Sequence, residues 1–345
     1  MIRLYLTHRQ AIVGRRTLVR HVRYAVHLGY TPDDAPLAHL QANLHPDIML
    51  TYGTEIPDEP QYNILVSGRP SIEFLEASPH IEAILIPFAG LPTVTRDRMA
   101  DYPDIAIHNV HYNAPPTAEM ALALLMATAR RLIPSDRDFR QHDWTPRYQP
   151  YPSVILQGKR ALILGYGAIG QYLADILRAM GMTVTGIRRR YHDAEAGIYP
   201  PEKLHDLLPV ADVLIVAVPG TPNTEGMIAE RELSLLPEGA IVVNIGRAAV
   251  IDQHALYDAL KSEHLHGAAS DVWYHYPPDK ESQTHTPPAD VPFHELDNMV
   301  MSPHRAGGGR NLAIERMRMD AIATSLNTWV ETGTLPHRVS LELGY

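Results

Sequence analysis

The chain has 345 residues, with 39 acidic against 30 basic side chains and a formal net charge of −9. Its 45% hydrophobic and 20% charged residues are ordinary for a soluble globular protein. That supply is enough for two sizeable cores and excludes wholesale disorder. A moderately acidic chain without a long basic run is a poor partner for nucleic acid. The absence of cysteine excludes disulfides, zinc fingers, iron–sulfur clusters and thiol catalysis.

The first residues carry Arg3, Arg9, Arg15, Arg16 and Arg20 without an apolar block, so no signal peptide is expected. The longest apolar stretch, Met120–Ala129, is too short to span a bilayer, and the expected setting is cytoplasmic. The 19 histidines are scattered. The pairs His264/His266 and His108/His111 have ligand-like spacing, but surface or core roles are the better reading and no metal is assigned.

In chain order, Arg3–Thr7 reads as a strand and Arg20–Leu28 as a helix. Asp47–Tyr52 is a candidate strand, followed by Asn63–Ser67, Ala83–Phe88 and Ile105–Val110, with helices at Ile72–Ala77 and Thr95–Ala100 between them. Thr117–Leu132 reads as a helix that follows Pro115-Pro116, has Glu119 in its first turn and ends at Arg130-Arg131. It is apolar almost all round, so burial between layers or domains is expected. Six continuous apolar runs follow: Ala161–Gly165, Thr183–Arg188, Val213–Val218, Ile241–Ile245, Gly267–Val272 and Met299–Pro303. Runs of this kind suit parallel strands buried on both faces, and six is the count of a full dinucleotide fold. A last helix over Arg310–Glu331 is expected to return to the first domain.

Four motifs carry chemistry. Gly165-Tyr166-Gly167-Ala168-Ile169-Gly170 links a strand to a helix. Its glycines allow a tight turn, close approach to a pyrophosphate and close helix–strand packing, with the phosphate on the helix N-terminus. The next strand ends in Arg188-Arg189-Arg190, where an NAD enzyme carries an acid for the ribose 2′-hydroxyl. Arg188 and Arg189 can instead pair with a 2′-phosphate, so NADP(H) is expected over NAD(H). Arg247, in Asn244-Ile245-Gly246-Arg247, stands at a strand's C-terminal end and suits a carboxylate or a polarised carbonyl. His304, in Ser302-Pro303-His304-Arg305-Ala306-Gly307, is a natural proton donor near neutral pH.

The order of these motifs resembles the D-isomer-specific 2-hydroxyacid dehydrogenases, over roughly Asn63 to Arg310. The resemblance implies an α/β fold of two Rossmann-like, doubly wound parallel-sheet domains with the active site in the cleft between them. Residues 1–114 with 307–345 would form a flavodoxin-like substrate domain, and 115–306 the NAD(P)-binding domain. Asn113-Ala114 matches the hinge before the long helix, and Glu119 its early acid.

The resemblance further implies a 2-ketoacid reductase for glyoxylate, hydroxypyruvate or a relative. Arg247 would hold the substrate carboxylate and polarise the carbonyl, and His304 would move the proton. Asp271 matches the acid that holds the nicotinamide carboxamide. Phe88-Ala89-Gly90 matches the loop that meets the substrate carboxylate. Val218, Pro219, Thr224, Ile245, Gly246 and Gly307 fall on cofactor-side motifs. A homodimer through the cofactor domains is also implied.

Three departures stand out. The family pairs its histidine with a glutamate, and Tyr276 occupies that position. A carboxylate neighbour raises a histidine pKa by about 1–3 units, which a neutral tyrosine cannot do. With a pKa near 6.5, His304 would be roughly a quarter protonated at pH 7, so reduction should favour acidic pH. Glu281 or Glu295 are candidate substitutes. The Pro277–Asp297 stretch reads equally as a lid, a partner surface or a plain surface excursion. Ala89-Gly90-Leu91-Pro92 lacks the aspartate common in the family after the glycine. Two alternatives follow: a formate-type dehydrogenase on the same scaffold, or a non-catalytic nucleotide-gated binding protein like the C-terminal-binding corepressors.

Overall fold

The computed structural model describes residues 24–190, 193–308, 311–342 and 344. The expected strand at Arg3–Thr7, and Arg20–Arg23 of the expected first helix, lie outside them. The chain divides into two compact units, residues 1–113 with 310–345, and residues 114–309. Among the described residues no helix is long and apolar enough to cross a membrane.

The first unit holds β1 (Tyr24–Leu28), α1 (Asp34–Asn43), β2 (Ile48–Tyr52), β3 (Ile64–Val66), α2 (Ile72–Ala77), β4 (Ala83–Ile86), α3 (Thr93–Met99) and β5 (Ala106–Asn109). Its sheet has the order β2-β1-β3-β4-β5, and every pairing is parallel. This is the flavodoxin-like order. The pleat sends alternate side chains to two cores. Val26, Leu28, Ile64 and Val66 join one; Ala25, Leu65, Ile84 and Ile86 join the other. Tyr24–Leu28 is therefore a strand and not the helix expected there. Its segment pairs with β2 on one side and β3 on the other, and that pairing overrides local helix preference.

The second unit holds α4 (Ala114–Ala129), α5 (Leu132–Arg140), α6 (Thr145–Tyr148), β6 (Arg160–Leu164), α7 (Ala168–Ala179), β7 (Thr183–Ile187), β8 (Ile198–Tyr199), α8 (Leu204–Leu207) and β9 (Val213–Val216). It continues through α9 (Glu230–Leu235), β10 (Ala240–Asn244), α10 (Gln253–Lys261), β11 (Leu265–Ser270) and β12 (Met299–Met301). The sheet is seven-stranded, in the order β12-β11-β10-β9-β6-β7-β8. The six expected runs are all strands; the seventh is the two-residue β8, which pairs with β7 at the edge. Two residues carry no readable periodicity, so β8 was invisible to pattern.

The long helix differs from expectation at both ends. It starts at Ala114, with Pro115-Pro116 inside its first turn, where a missing N–H costs nothing. It stops at Ala129, and Arg131 takes a left-handed φ of 48° before α5 begins. Helix α4 packs on β10, β11, β12 and α7, which explains its apolar surface. The last helix, α11 (Leu312–Thr332), packs against α1 in the first unit and adds Met319, Ile322, Leu326 and Trp329 to that core.

Candidate active site

The second unit's chemistry-bearing residues follow the C-terminal ends of its strands, where open α/β sheets bind ligands. After β6, Gly165 adopts φ +106°, and a Cβ there would stand 2.6 Å from the Ala217 carbonyl carbon. Gly170 is similarly pressed, since its Cβ would stand 2.5 Å from the Gly165 oxygen. Gly167 differs: nothing lies within 4 Å of its Cβ position. It is the N-cap of the 12-residue α7, and no side chain caps that end. The N–H groups of Ala168, Ile169 and Gly170 thus begin a helix behind a residue with no side chain. This is a cradle that fits the pyrophosphate of a dinucleotide.

Strand β7 ends at Ile187, and Arg188 and Arg189 follow it on the surface. The Arg188 N–H is tied to Tyr199 O of β8 at 2.9 Å, so the small extra strand fixes the start of the basic turn. After β9, Thr224 braces the Val218–Thr224 loop, with its hydroxyl donating to Pro219 O at 2.6 Å. After β10, the Asn244 side chain accepts from Gly246 N and donates to Arg247 O, both at 3.1 Å. That clamp presents Arg247, and Gly246 is required because its Cβ would meet Val218 O at 2.5 Å. Ile245 is buried beneath the turn.

Asp271, just past β11, is 1% exposed. Its Oδ1 accepts from Ser302 Oγ at 2.5 Å and from Arg305 N at 2.8 Å, and its Oδ2 accepts from Ala306 N at 2.8 Å. It therefore grips both sides of His304. His304 has a left-handed φ of 53°, a conformation that costs a non-glycine residue energy and persists only where the surroundings enforce it. The Asp271 carboxylate supplies that enforcement. Oδ2 keeps one acceptor direction, which suits the carboxamide role implied for this acid. Gly307 follows directly on this loop; Gly309 of the same glycine run lies outside the described residues.

The Tyr276 hydroxyl lies 2.7 Å from His304 Nδ1 and accepts from the Trp273 N–H at 3.2 Å. The charged groups bearing on His304 are Arg247 and Asp271. Burial first, and then the Arg247 guanidinium, push the imidazole below its ordinary value, against the opposing pull of Asp271. Burial likewise lowers Arg247, which remains a cation, and raises the Tyr276 phenol, which remains neutral. Glu281 and Glu295 do not replace the missing glutamate. Both are exposed on 3-10 turns of the following loop, and neither is among the charges that move His304.

That loop is anchored. Ala289 and Phe293 are buried, Phe293 meets Trp273 edge-on at 6.3 Å, and Asp290 pairs with His275 at 2.8 Å. These contacts hold it as a surface excursion over 289–293 and argue against a lid there. Phe88-Ala89-Gly90 follow β4 in the first unit, with Asn109 donating to Ala89 O at 2.7 Å. Glu119 lies in the second turn of α4, not its first. His108 and His264 each bond a backbone carbonyl, Pro336 O at 2.8 Å and Leu233 O at 3.1 Å. Among the described residues no group of three or more acidic or histidine side chains is arranged for a metal. The supports that sequence reasoning missed are Asn244, Ser302 and Trp273, whose roles depend on partners brought in by folding.

The fold and this strand-end cradle define an α/β protein built to bind a dinucleotide. The chain belongs to the D-isomer specific 2-hydroxyacid dehydrogenase family, whose NAD-binding-domain model matches residues 122–306, more than half of the chain. It is 35% identical over 234 residues to a glyoxylate reductase of Korarchaeum cryptofilum, covering 66% of each chain. It is 32% identical to the glyoxylate reductase of Thermococcus kodakarensis, over 70% of this chain and 71% of that one. A D-3-phosphoglycerate dehydrogenase of Archaeoglobus fulgidus is 29% identical over 74% of this chain. The chain spans 66% of the Korarchaeum protein and about half, 47%, of the Archaeoglobus one. In fold it is similar to a D-isomer specific 2-hydroxyacid dehydrogenase from Xanthobacter autotrophicus solved with NADPH and MES (TM-score 0.73, 24% identity, 93% of this chain and 99% of that one).

Proposed function

We propose that the chain is an NADP(H)-preferring oxidoreductase that moves a hydride between nicotinamide and a 2-ketoacid or D-2-hydroxyacid, such as glyoxylate or hydroxypyruvate. The observation that carries this reading is the gathering of Arg247, Tyr276 and His304 on the turns after the adjacent strands β10, β11 and β12, with Asp271 gripping the His304 loop. The glyoxylate reductases similar to the chain support the substrate class.

When bound, the cofactor supplies or accepts the hydride at the carbonyl carbon. The protein's own residues do the rest. Arg247 spends Nη1 on Gly246 O at 2.7 Å, and the other face of its fork is the partner for a substrate carboxylate. The same cation polarises the adjacent carbonyl. His304 gives a proton to the carbonyl oxygen in reduction and takes it back in oxidation. Arg188 and Arg189 support NADP(H), since no acid ends β7 to repel a 2′-phosphate.

The reading includes a homodimer through the second, cofactor-binding unit, and exposed apolar side chains on that unit support it. Leu132, Ile133, Phe139, Trp144 and Tyr148 of the α5–α6 segment are exposed, and Phe139 and Trp144 meet edge-on at 4.8 Å. Exposed apolar side chains grouped in this way suit a protein interface, and a second copy of the chain would cover them.

The test is reduced-cofactor consumption by the purified protein with a panel of 2-ketoacids, NADPH beside NADH, from pH 5 to 8. NADPH-favoured turnover supports the whole reading. NADH-favoured turnover keeps the class and overturns the Arg188 argument. Cofactor binding without turnover of any ketoacid, or of formate, points to a non-catalytic module. Light scattering on the same preparation reads the dimer.

A further inference from the structure

In a 2-ketoacid reductase the proton-bearing histidine must present one ring nitrogen to the substrate and have the other held. Here the holder is a phenol. The Tyr276 oxygen already accepts from the Trp273 N–H at 3.2 Å, and it lies 2.7 Å from His304 Nδ1. A hydroxyl has one proton to give and two acceptor directions. An incoming N–H polarises the hydroxyl and makes it a better donor. A phenol is also a stronger acid than imidazole N–H, and an imidazole nitrogen is the stronger acceptor. The favoured bond in the neutral pair is therefore Tyr276 O–H to His304 Nδ1.

We propose that Tyr276 is a positioning residue whose hydroxyl donates to His304 Nδ1 and so holds the neutral imidazole with its proton on Nε2. The inference rests on the reading of His304 as the acid–base group. Around neutral pH, His304 then offers Nε2–H as an uncharged hydrogen-bond donor to a carbonyl oxygen. It becomes a true acid only once Nδ1 also takes a proton. In that charged state the hydroxyl turns over. Its second acceptor direction receives Nδ1–H, while the Trp273 N–H keeps the first. When Nε2 gives its proton to the carbonyl oxygen, Nδ1–H stays with Tyr276 and the ring ends neutral. One residue therefore holds the ring orientation through both protonation states without adding a charge.

The groups facing His304 agree with this role. Arg247 disfavours the imidazolium, Asp271 favours it, and Tyr276 is a neutral phenol at these pH values. A carboxylate in place of Tyr276 would do something different. It can only accept, so it would fix Nδ1–H and favour the charged ring.

The test is nitrogen-15 NMR of histidine-labelled, cofactor-free full chain, with the His304 signals identified by their loss in His304→Gln. The expected wild-type result is the Nε2–H form between pH 6.5 and 8, with a pKa below the free-histidine value. Tyr276→Phe should release the ring into a mixture of both forms. Tyr276→Glu should switch it to Nδ1–H and raise its pKa by about 1–3 units. The pH profile of ketoacid reduction should move up with it. A wild-type ring in the Nδ1–H form, or a Tyr276→Phe ring with unchanged form and pKa, overturns the proposal. Because the NMR arm needs no substrate, a lack of turnover would count against the proposed reaction and not against Tyr276.

Discussion

The buried Asp271 carboxylate receives the Ala306 N–H at 2.8 Å, and this bond closes the loop that carries His304 in its left-handed conformation. Asp271→Asn turns an acceptor into an amide that cannot satisfy the Ser302, Arg305 and Ala306 donors together. The expected loss of stability in the second unit is about 1–3 kcal/mol, the usual cost of stranding a buried donor. Asp271 also favours the charged imidazole, so its loss should move the His304 pKa further down. Thermal unfolding beside a pH–rate profile checks both effects; an unshifted profile would remove Asp271 from the electrostatics of the site.

The three glycines of the Gly165–Gly170 turn should separate folding from binding. Gly165→Ala places a Cβ against the Ala217 backbone in a left-handed residue and should cost stability. Gly167→Ala meets no protein atom within 4 Å and should leave stability almost unchanged. It should instead weaken cofactor binding, because its methyl would stand where a pyrophosphate approaches. Paired melting curves and cofactor titrations by fluorescence make the comparison. Equal cofactor affinity in Gly167→Ala would place the phosphates elsewhere.

Removing the basic turn after β7 should change the choice of cofactor. In the double variant Arg188→Ser, Arg189→Ser, the KM for NADPH should rise about 10–100-fold, as expected for charge-assisted bonds of roughly 1.5–3 kcal/mol. The KM for NADH should barely move. An equal loss with both cofactors would make these arginines general electrostatic contributors without selectivity for the 2′-phosphate.

Arg247→Lys keeps the charge and loses the planar fork. Steady-state kinetics with the best ketoacid should show kcat/KM reduced by about 100-fold or more, a loss typical of removing a transition-state electrostatic partner. A variant within a few-fold of wild type would show that the fork is not what holds the carboxylate.

Acid should destabilise the core of the first unit through His27. It is 1% exposed on β1 and stacks with Tyr62 and with Phe74 at centroid distances of 5.5 and 5.3 Å. Burial lowers its pKa to about 4, against a smaller opposing effect from the Gly53 backbone. The unfolded chain, with its ordinary histidine value of 6.5, therefore binds a proton more readily than the folded one. Stability from this residue is complete above pH 6.5 and is lost as pH falls towards 4, by about 3 kcal/mol in all. Denaturant titrations from pH 7 to 4 should show a shallower decline for His27→Leu; parallel curves would locate the acid sensitivity elsewhere.

Local pattern was sufficient for much of the chain. Continuous apolar runs such as Val213–Val216 and Ala83–Ile86 declare strands buried on both faces, because only such burial tolerates an unbroken apolar stretch. Gly165, Gly167 and Gly170 declare their turn, because backbone geometry there admits no side chain at Gly165 or Gly170. The order of the motifs placed Arg247, Asp271 and His304 at successive strand ends. Tyr24–Leu28 is a strand where local pattern suggests a helix, because pairing on both edges is a non-local fact that five residues do not announce.

What the sequence by itself determined, then, is the sheet-and-helix alternation, the dinucleotide turn and the identity of the groups able to do chemistry. These follow from periodicity and from the conformational range of single residues. Only the tertiary structure decided what those groups face. It put the Tyr276 hydroxyl on His304 Nδ1, left Glu281 and Glu295 at the surface, and spent Asp271 on the backbone of Arg305 and Ala306. Tyr276 and His304 are 28 residues apart in the chain, and a hydrogen bond depends on distance and angle in space, which no spacing along the sequence specifies.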